Sequence, residues 1–119
     1  MNKSVKIFSL SALVALTGCA TKHDHYYWGH YESLVYDMYI EPGSADATTQ
    51  ISKLETDLQK AEAEGKPVPP GVHAHLGYMY ATAGKVDQAV SEFTTEKSLY
   101  PESAVLIDGM MSRSKGVEK

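Results

Sequence analysis

Tyr27, Tyr31, Leu34, Val35 and Met38 follow one another at spacings of four, three, one and three. Those spacings place them on one side of a helix, so the pattern predicts a first helix from Tyr26 to Ile40. Glu41-Pro42-Gly43-Ser44 then ends it with strong turn chemistry. A second helix is expected from Ala47 to Glu64. Ile51, Leu54, Leu58 and Ala61 line its apolar face, and Lys53, Glu55, Asp57, Lys60 and Glu62 read as mostly solvated. Gly65 suits a left-handed C-terminal stop. Lys66-Pro67-Val68-Pro69-Pro70-Gly71 is a stiff connector that cannot be helical. A third helix is predicted from Val72 to Ala83, with Val72, Leu76, Met79, Tyr80 and Ala83 as its stripe and Gly84 as its end. A fourth runs from Val86 to Leu99 with Ala89, Val90 and Phe93 inward. It stops at Tyr100 because the residue before Pro101 avoids helical geometry. Pro101 opens a short fifth helix carrying Val105, Leu106, Met110 and Met111, with Glu102 favourable near its positive end. Ser112 to Lys119 is expected to fray. No stretch sustains period-two alternation, so the fold class expected is all-α, with four to five helices and no sheet.

The third and fourth helices share a further spacing. Leu76-Gly77, Tyr80, Gly84, Ala89, Phe93 and Pro101 resemble the signature positions of a tetratricopeptide repeat, whose unit is ~34 residues long. Gly77 and Ala89 are small where two antiparallel helices would press together, and Tyr80 and Phe93 are large where they would fill a core. Two positions depart from that pattern. His73 stands where a larger apolar residue is usual, and Glu96 where a small one is usual, so a polar contact or a splayed end is expected there. A lone helical hairpin cannot bury its apolar face, so the first two helices are expected as a degenerate pair and the fifth as a cap. A plain four- or five-helix bundle is the alternative.

Ahead of the helices, Asn2, Lys3, Ser4 and Lys6 form a basic head. Ile7 to Leu16 is an apolar and small-residue run, and Leu16-Thr17-Gly18-Cys19 follows. The run falls short of the roughly 20 apolar residues a bilayer span requires. Head, run and small-residue exit match a secretory signal, and the cysteine at the cut point gives it the look of a bacterial lipobox. The expected layout is a cleaved signal peptide over 1–18, a lipidated Cys19 with a short tether over 19–25, a helical domain over 26–114 and a frayed tail over 115–119. An ordinary signal with an incidental cysteine is the alternative. One acyl chain holds a protein only marginally, whereas several anchor it firmly. Ala20 after the cysteine, where an aspartate would retain the protein inside, is the pattern of outer-membrane sorting.

Cys19 is the only cysteine, so no disulfide within the chain is expected. The net charge of −4 becomes −6 once Lys3 and Lys6 leave with the leader. That argues against nucleic acid, which needs a basic footprint, and against electrostatic adhesion to anionic lipid.

Several segments together resemble one family. Trp28-Gly29-His30-Tyr31-Glu32, Tyr39, Pro42-Gly43, Val68-Pro69-Pro70-Gly71-Val72-His73-Ala74-His75-Leu76-Gly77 and Glu96-Lys97-Ser98-Leu99-Tyr100-Pro101-Glu102-Ser103 are similar to the DUF4810 family of small bacterial lipoproteins. The resemblance implies a helical, repeat-like lipoprotein. Its members are often encoded beside a lipoprotein resembling the curli secretion channel, which implies other envelope lipoproteins as partners. It supplies no catalytic residues.

Candidate sites follow from the helix faces. Ala74, Tyr78 and Thr82 are four apart and share a face with Ala81, distinct from the Leu76–Met79–Tyr80 side. In a repeat such a face takes an extended peptide or a partner helix. Tyr26, Tyr27, Trp28, Tyr31, Tyr36 and Tyr39 crowd the part nearest the anchor. Tyr26, Trp28 and Tyr36 fall off the packing stripe, and Trp28 is the expected contact residue there. His23, His25 and His30 with Asp24 offer metal ligands, but their spacing matches no closed site. His73 and His75 diverge by about 200° on a helix and do not chelate together. The chain has no Gly-x-Ser-x-Gly, phosphate loop or His-Glu-x-x-His, and no cofactor beyond the lipid on Cys19 is expected. The expected function is a non-enzymatic, lipid-anchored accessory or scaffold on the periplasmic face of the outer membrane. A periplasmic metal-handling protein is the second reading.

Overall fold

The computed structural model describes residues 25–116. Cys19, His23 and the leader lie outside them. Among the described residues the chain is all-α. Helices α1 (Tyr31–Ile40), α2 (Ala47–Glu64), α3 (Val72–Thr82), α4 (Val86–Leu99) and α5 (Ala104–Gly116) follow in order, with a 3₁₀ turn at Pro101–Ser103 leading into α5.

Local chemistry sets these ends. The Asp46 carboxylate accepts the Thr49 N–H at 2.7 Å and caps α2, and that bond holds its carboxyl below the usual range. Gly65 turns left-handed at φ +64°, and the Lys66 N–H returns to the Ala61 carbonyl at 2.9 Å. Gly84, at φ +75°, lets the Lys85 N–H reach back to Tyr80 and turn the chain from α3 into α4.

One start differs from the sequence reading. The first helix begins at Tyr31, not Tyr26. The Tyr27 N–H donates to the Pro67 carbonyl at 2.8 Å, so the segment before α1 lies across the proline-rich connector instead of coiling. Gly29, at φ +48°, makes the turn into the helix. At the other end α5 runs to Gly116, beyond the Ser112 at which fraying was expected.

α3 and α4 form a tight antiparallel hairpin, α2 packs on α3, and α5 packs on α4 and touches α3. A Cβ at Gly77 would lie 2.7 Å from the Phe93 ring and 3.1 Å from the Ala89 carbonyl oxygen. The close approach of the two helices therefore requires glycine at this position. Leu34, Leu54, Leu76, Phe93 and Ile107, one from each helix, are wholly buried in a single core. Each such side chain contributes about 1.5–3 kcal/mol over its exposed state.

Two acids are buried, each 2 % exposed: Asp57, read as solvated, and Glu96, where a polar contact or a splayed end was expected. Asp57 on α2 accepts the His30 backbone N–H at 2.6 Å and pairs with His30 Nδ1 at 2.9 Å. Glu96 on α4 accepts the Gly71 N–H at 2.7 Å and the Ala74 N–H at 3.2 Å. His30 and Gly71 are the N-cap positions of α1 and α3, and neither helix has a side-chain cap of its own. In both helix pairs the second helix thus lends a carboxylate to the exposed N–H groups at the positive end of the first. The polar contact expected at Glu96 is this one.

Candidate functional site: a grooved face around Tyr78

Tyr78 projects from α3 between two depressions. The smaller, about 270 Å³, lies between α1 and α3 and is bordered by Leu34, Asp37, Met38, Gln50, Met79 and the 41–45 turn. The larger, about 740 Å³, lies between α3 and α5 over the α4 floor. Its apolar lining is Ala81, Val86, Phe93, Leu106 and Met110, with Thr82, Arg113 and Ser114 adding polar groups. Tyr78 and Thr82 border both, and the Thr82 hydroxyl donates to the Tyr78 carbonyl at 2.9 Å. Tyr78 is 48 % exposed, an aromatic ridge with an apolar hollow on either side. The larger hollow has the size and apolar lining of a binding cleft.

The structure brings Tyr78, Ala81 and Thr82 together on this face. Ala74 is a correction. It is buried, and its N–H is held by Glu96, so it offers nothing to a partner. The sequence reading missed Leu106, Met110 and Arg113, the α5 side of the larger hollow. Leu106 and Met110 served only to mark the fifth helix, and Leu106 stands mostly exposed on it. Arg113 is the only arginine of the chain and makes no ion pair among the described residues. Its guanidinium lies over Gly109, where a Cβ would be 3.7 Å from Nη1.

The aromatic segment divides. Trp28 stays accessible, and its ring stacks on Tyr31 at 6.4 Å. Tyr31 turns inward and meets the His75 ring edge-on, and burial followed by the nearby Glu96 raises its phenol pKa. Tyr39, expected in the packing stripe, faces out with Tyr36 and Ile40.

The model matching this chain is described as a domain of unknown function, DUF4810, and it covers residues 25–110. The chain belongs to the DUF4810 family. The matched span takes in Tyr78, Ala81, Thr82, Leu106 and Met110 of the DUF4810 fold and ends before Arg113. Neither the curated proteins nor the solved structures contain a match.

Among the described residues the histidines of this DUF4810 chain do not converge. His23 lies outside the described residues, His25 is exposed, and His30 is engaged by Asp57. His73 Nδ1 pairs with Glu92 at 2.6 Å. Among the described residues no group of three or more His, Cys, Asp or Glu side chains is placed to hold a metal ion. Tyr80 is a buried phenol donating to Glu55. Burial and that carboxylate push its pKa up to about 12, so it stays a protonated structural donor.

His75 carries a pH dependence. Gln50 Nε2 donates to the Ala45 carbonyl, which leaves Gln50 Oε1 as an acceptor for His75 Nε2–H at 2.7 Å. Burial lowers the imidazole pKa below its ordinary value. The unfolded chain therefore binds the extra proton more readily, and stability falls as pH drops through about 6.5 toward the folded value. Urea midpoints should fall between pH 7.5 and 5.5. They should fall less in His75→Gln, and equal slopes would contradict the burial effect.

Proposed function

We propose that this chain is a lipid-anchored accessory protein held at Cys19 on the periplasmic face of the outer membrane, where it docks other envelope proteins through the Tyr78 face. The observation that supports the reading is the exposed Tyr78 ridge between two hollows, with an apolar cleft of about 740 Å³ on its α5 side. In this reading α3 and α4 act as a tetratricopeptide-like unit, and α5 supplies the next wall of the groove. The partner class is other envelope lipoproteins, including one resembling the curli secretion channel. The lipid restricts both molecules to a thin layer, which raises their effective concentration without any new contact.

Cross-linking in native membranes followed by affinity capture tests this. The full chain should recover a defined lipoprotein. Tyr78→Asp and Leu106→Asp should each lose it while keeping the helical circular dichroism of the parent, because both side chains are exposed and outside the core. Retention of the same partner by both variants would remove this face from the account.

A further inference from the structure

The α1 helix turns its wrong side to water. Leu34 anchors it in the core, and positions 36, 39 and 40 lie on the opposite side of the helix at 100° per residue. Those positions hold Tyr36, Tyr39 and Ile40, which are 62 %, 81 % and 59 % exposed. A helix that packs by one face ordinarily turns charged and polar residues outward. Here the outward surface carries two tyrosines and an isoleucine toward its C-terminal end, with exposed Glu32 and Ser33 on the same side one turn earlier and Asp37 at its edge.

Chain length decides what can cover this face. Five residues, and so six Cα-to-Cα steps, separate Cys19 from His25, the first described residue. Fully extended, that stretch spans about 20 Å at ~3.3 Å per residue. α1 itself has ten residues and is about 15 Å long at 1.5 Å per residue. A body leashed by so short a segment stays next to the bilayer, and the exposed face of α1 belongs to the element nearest the leash. Tyrosine, with an apolar ring and a polar tip, favours the headgroup level of a membrane.

We infer that the Tyr36–Tyr39–Ile40 face of α1 rests on the lipid–water interface of the membrane that holds the anchor. This rests on the reading of Cys19 as lipidated. The acidic rim excludes electrostatic attraction to anionic lipid. The contact is therefore made by aromatic and apolar groups, and it depends on the leash for its high effective concentration.

Fluorescence quenching tests the seating on the lipidated protein in phosphatidylcholine vesicles, with no other protein present. Trp28 is the only tryptophan. Trp28→Phe with Tyr39→Trp therefore gives a single reporter on the face, and Trp28→Phe with Val105→Trp gives one on α5, where position 105 is fully accessible. Brominated acyl chains should quench the first reporter at least about twofold more than the second, as expected for an aromatic at the headgroup level. Adding Tyr36→Ser and Ile40→Ser should bring the first down to the second. Flotation of the vesicles reports the anchor separately. Protein that floats yet shows equal quenching at both reporters overturns the seating and leaves the face to a protein partner. Protein that does not float overturns the anchor and the seating with it.

Discussion

Glu96→Ala is expected to destabilise the domain by about 3 kcal/mol. Two N–H groups at the start of α3, those of Gly71 and Ala74, lose their acceptor inside the protein. Each unsatisfied buried donor costs about 1–3 kcal/mol, and the favourable charge at the positive helix end goes with it. Relief from holding a carboxylate away from water offsets part of this loss. The midpoint of thermal unfolding should drop by about 12–24 °C, taking 4–8 °C per kcal/mol for a domain of this size. Glu96→Gln keeps one carbonyl oxygen for one of the two donors and should fall between the parent and the alanine variant. Urea unfolding followed by far-ultraviolet circular dichroism measures all three. An alanine variant within about 0.5 kcal/mol of the parent would mean that Glu96 merely occupies space.

The second large effect is expected at Gly77. Its hydrogen already faces the Phe93 ring, and a Cβ there would sit 2.7 Å from Cδ1 and Cε1. Phe93 is wholly buried, so its ring moves only by disturbing the core around it, and the Ala89 carbonyl on the same side is backbone. Gly77→Leu should therefore force α3 and α4 apart at a cost of about 3 kcal/mol, the upper part of the usual overpacking range. Gly77→Ala gains up to about 1 kcal/mol of helix propensity and should show a smaller net loss. Phe93→Leu alone should also destabilise. Combined with Gly77→Ala, the shorter side chain should relieve the clash, so the two losses add to more than the double variant shows. Simple additivity in that cycle would place the strain elsewhere.

Glu96 and Asp57 show why part of this structure was hard to read from residue types. The stripes Ile51–Leu54–Ala61 and Ala89–Phe93 marked α2 and α4 with their correct ends, because apolar spacing and the stops at Gly65 and Tyr100–Pro101 agreed. Asp57 falls in phase with Leu54 and Ala61, and Glu96 in phase with Ala89 and Phe93. Their positions therefore pointed inward while their charge pointed outward. The acceptors they supply are needed by helices distant in sequence, which no local pattern records. The start of α1 was misplaced for a similar reason. Tyr27 continues the helical spacing, but its N–H is taken by Pro67, forty residues away.

The candidate face was half legible. Tyr78, Ala81 and Thr82 follow from the phase of α3 alone. Ala74 shares that phase but sits one turn closer to the buried helix start, where Glu96 encloses it. Leu106, Met110 and Arg113 join the face only because α5 folds back beside α3, a tertiary event that the α5 sequence does not announce.

The borrowed carboxylates impose an order on assembly. A polypeptide emerging from its amino end presents the start of α1 long before position 57 has appeared, and the start of α3 before position 96. Neither leading helix gains its acceptor until its partner arrives, so both starts stay open during synthesis. Truncation between α3 and α4 should leave the start of α3 without the Glu96 carboxylate and strip Phe93 and Ile107 from the shared core, so that what remains does not hold together.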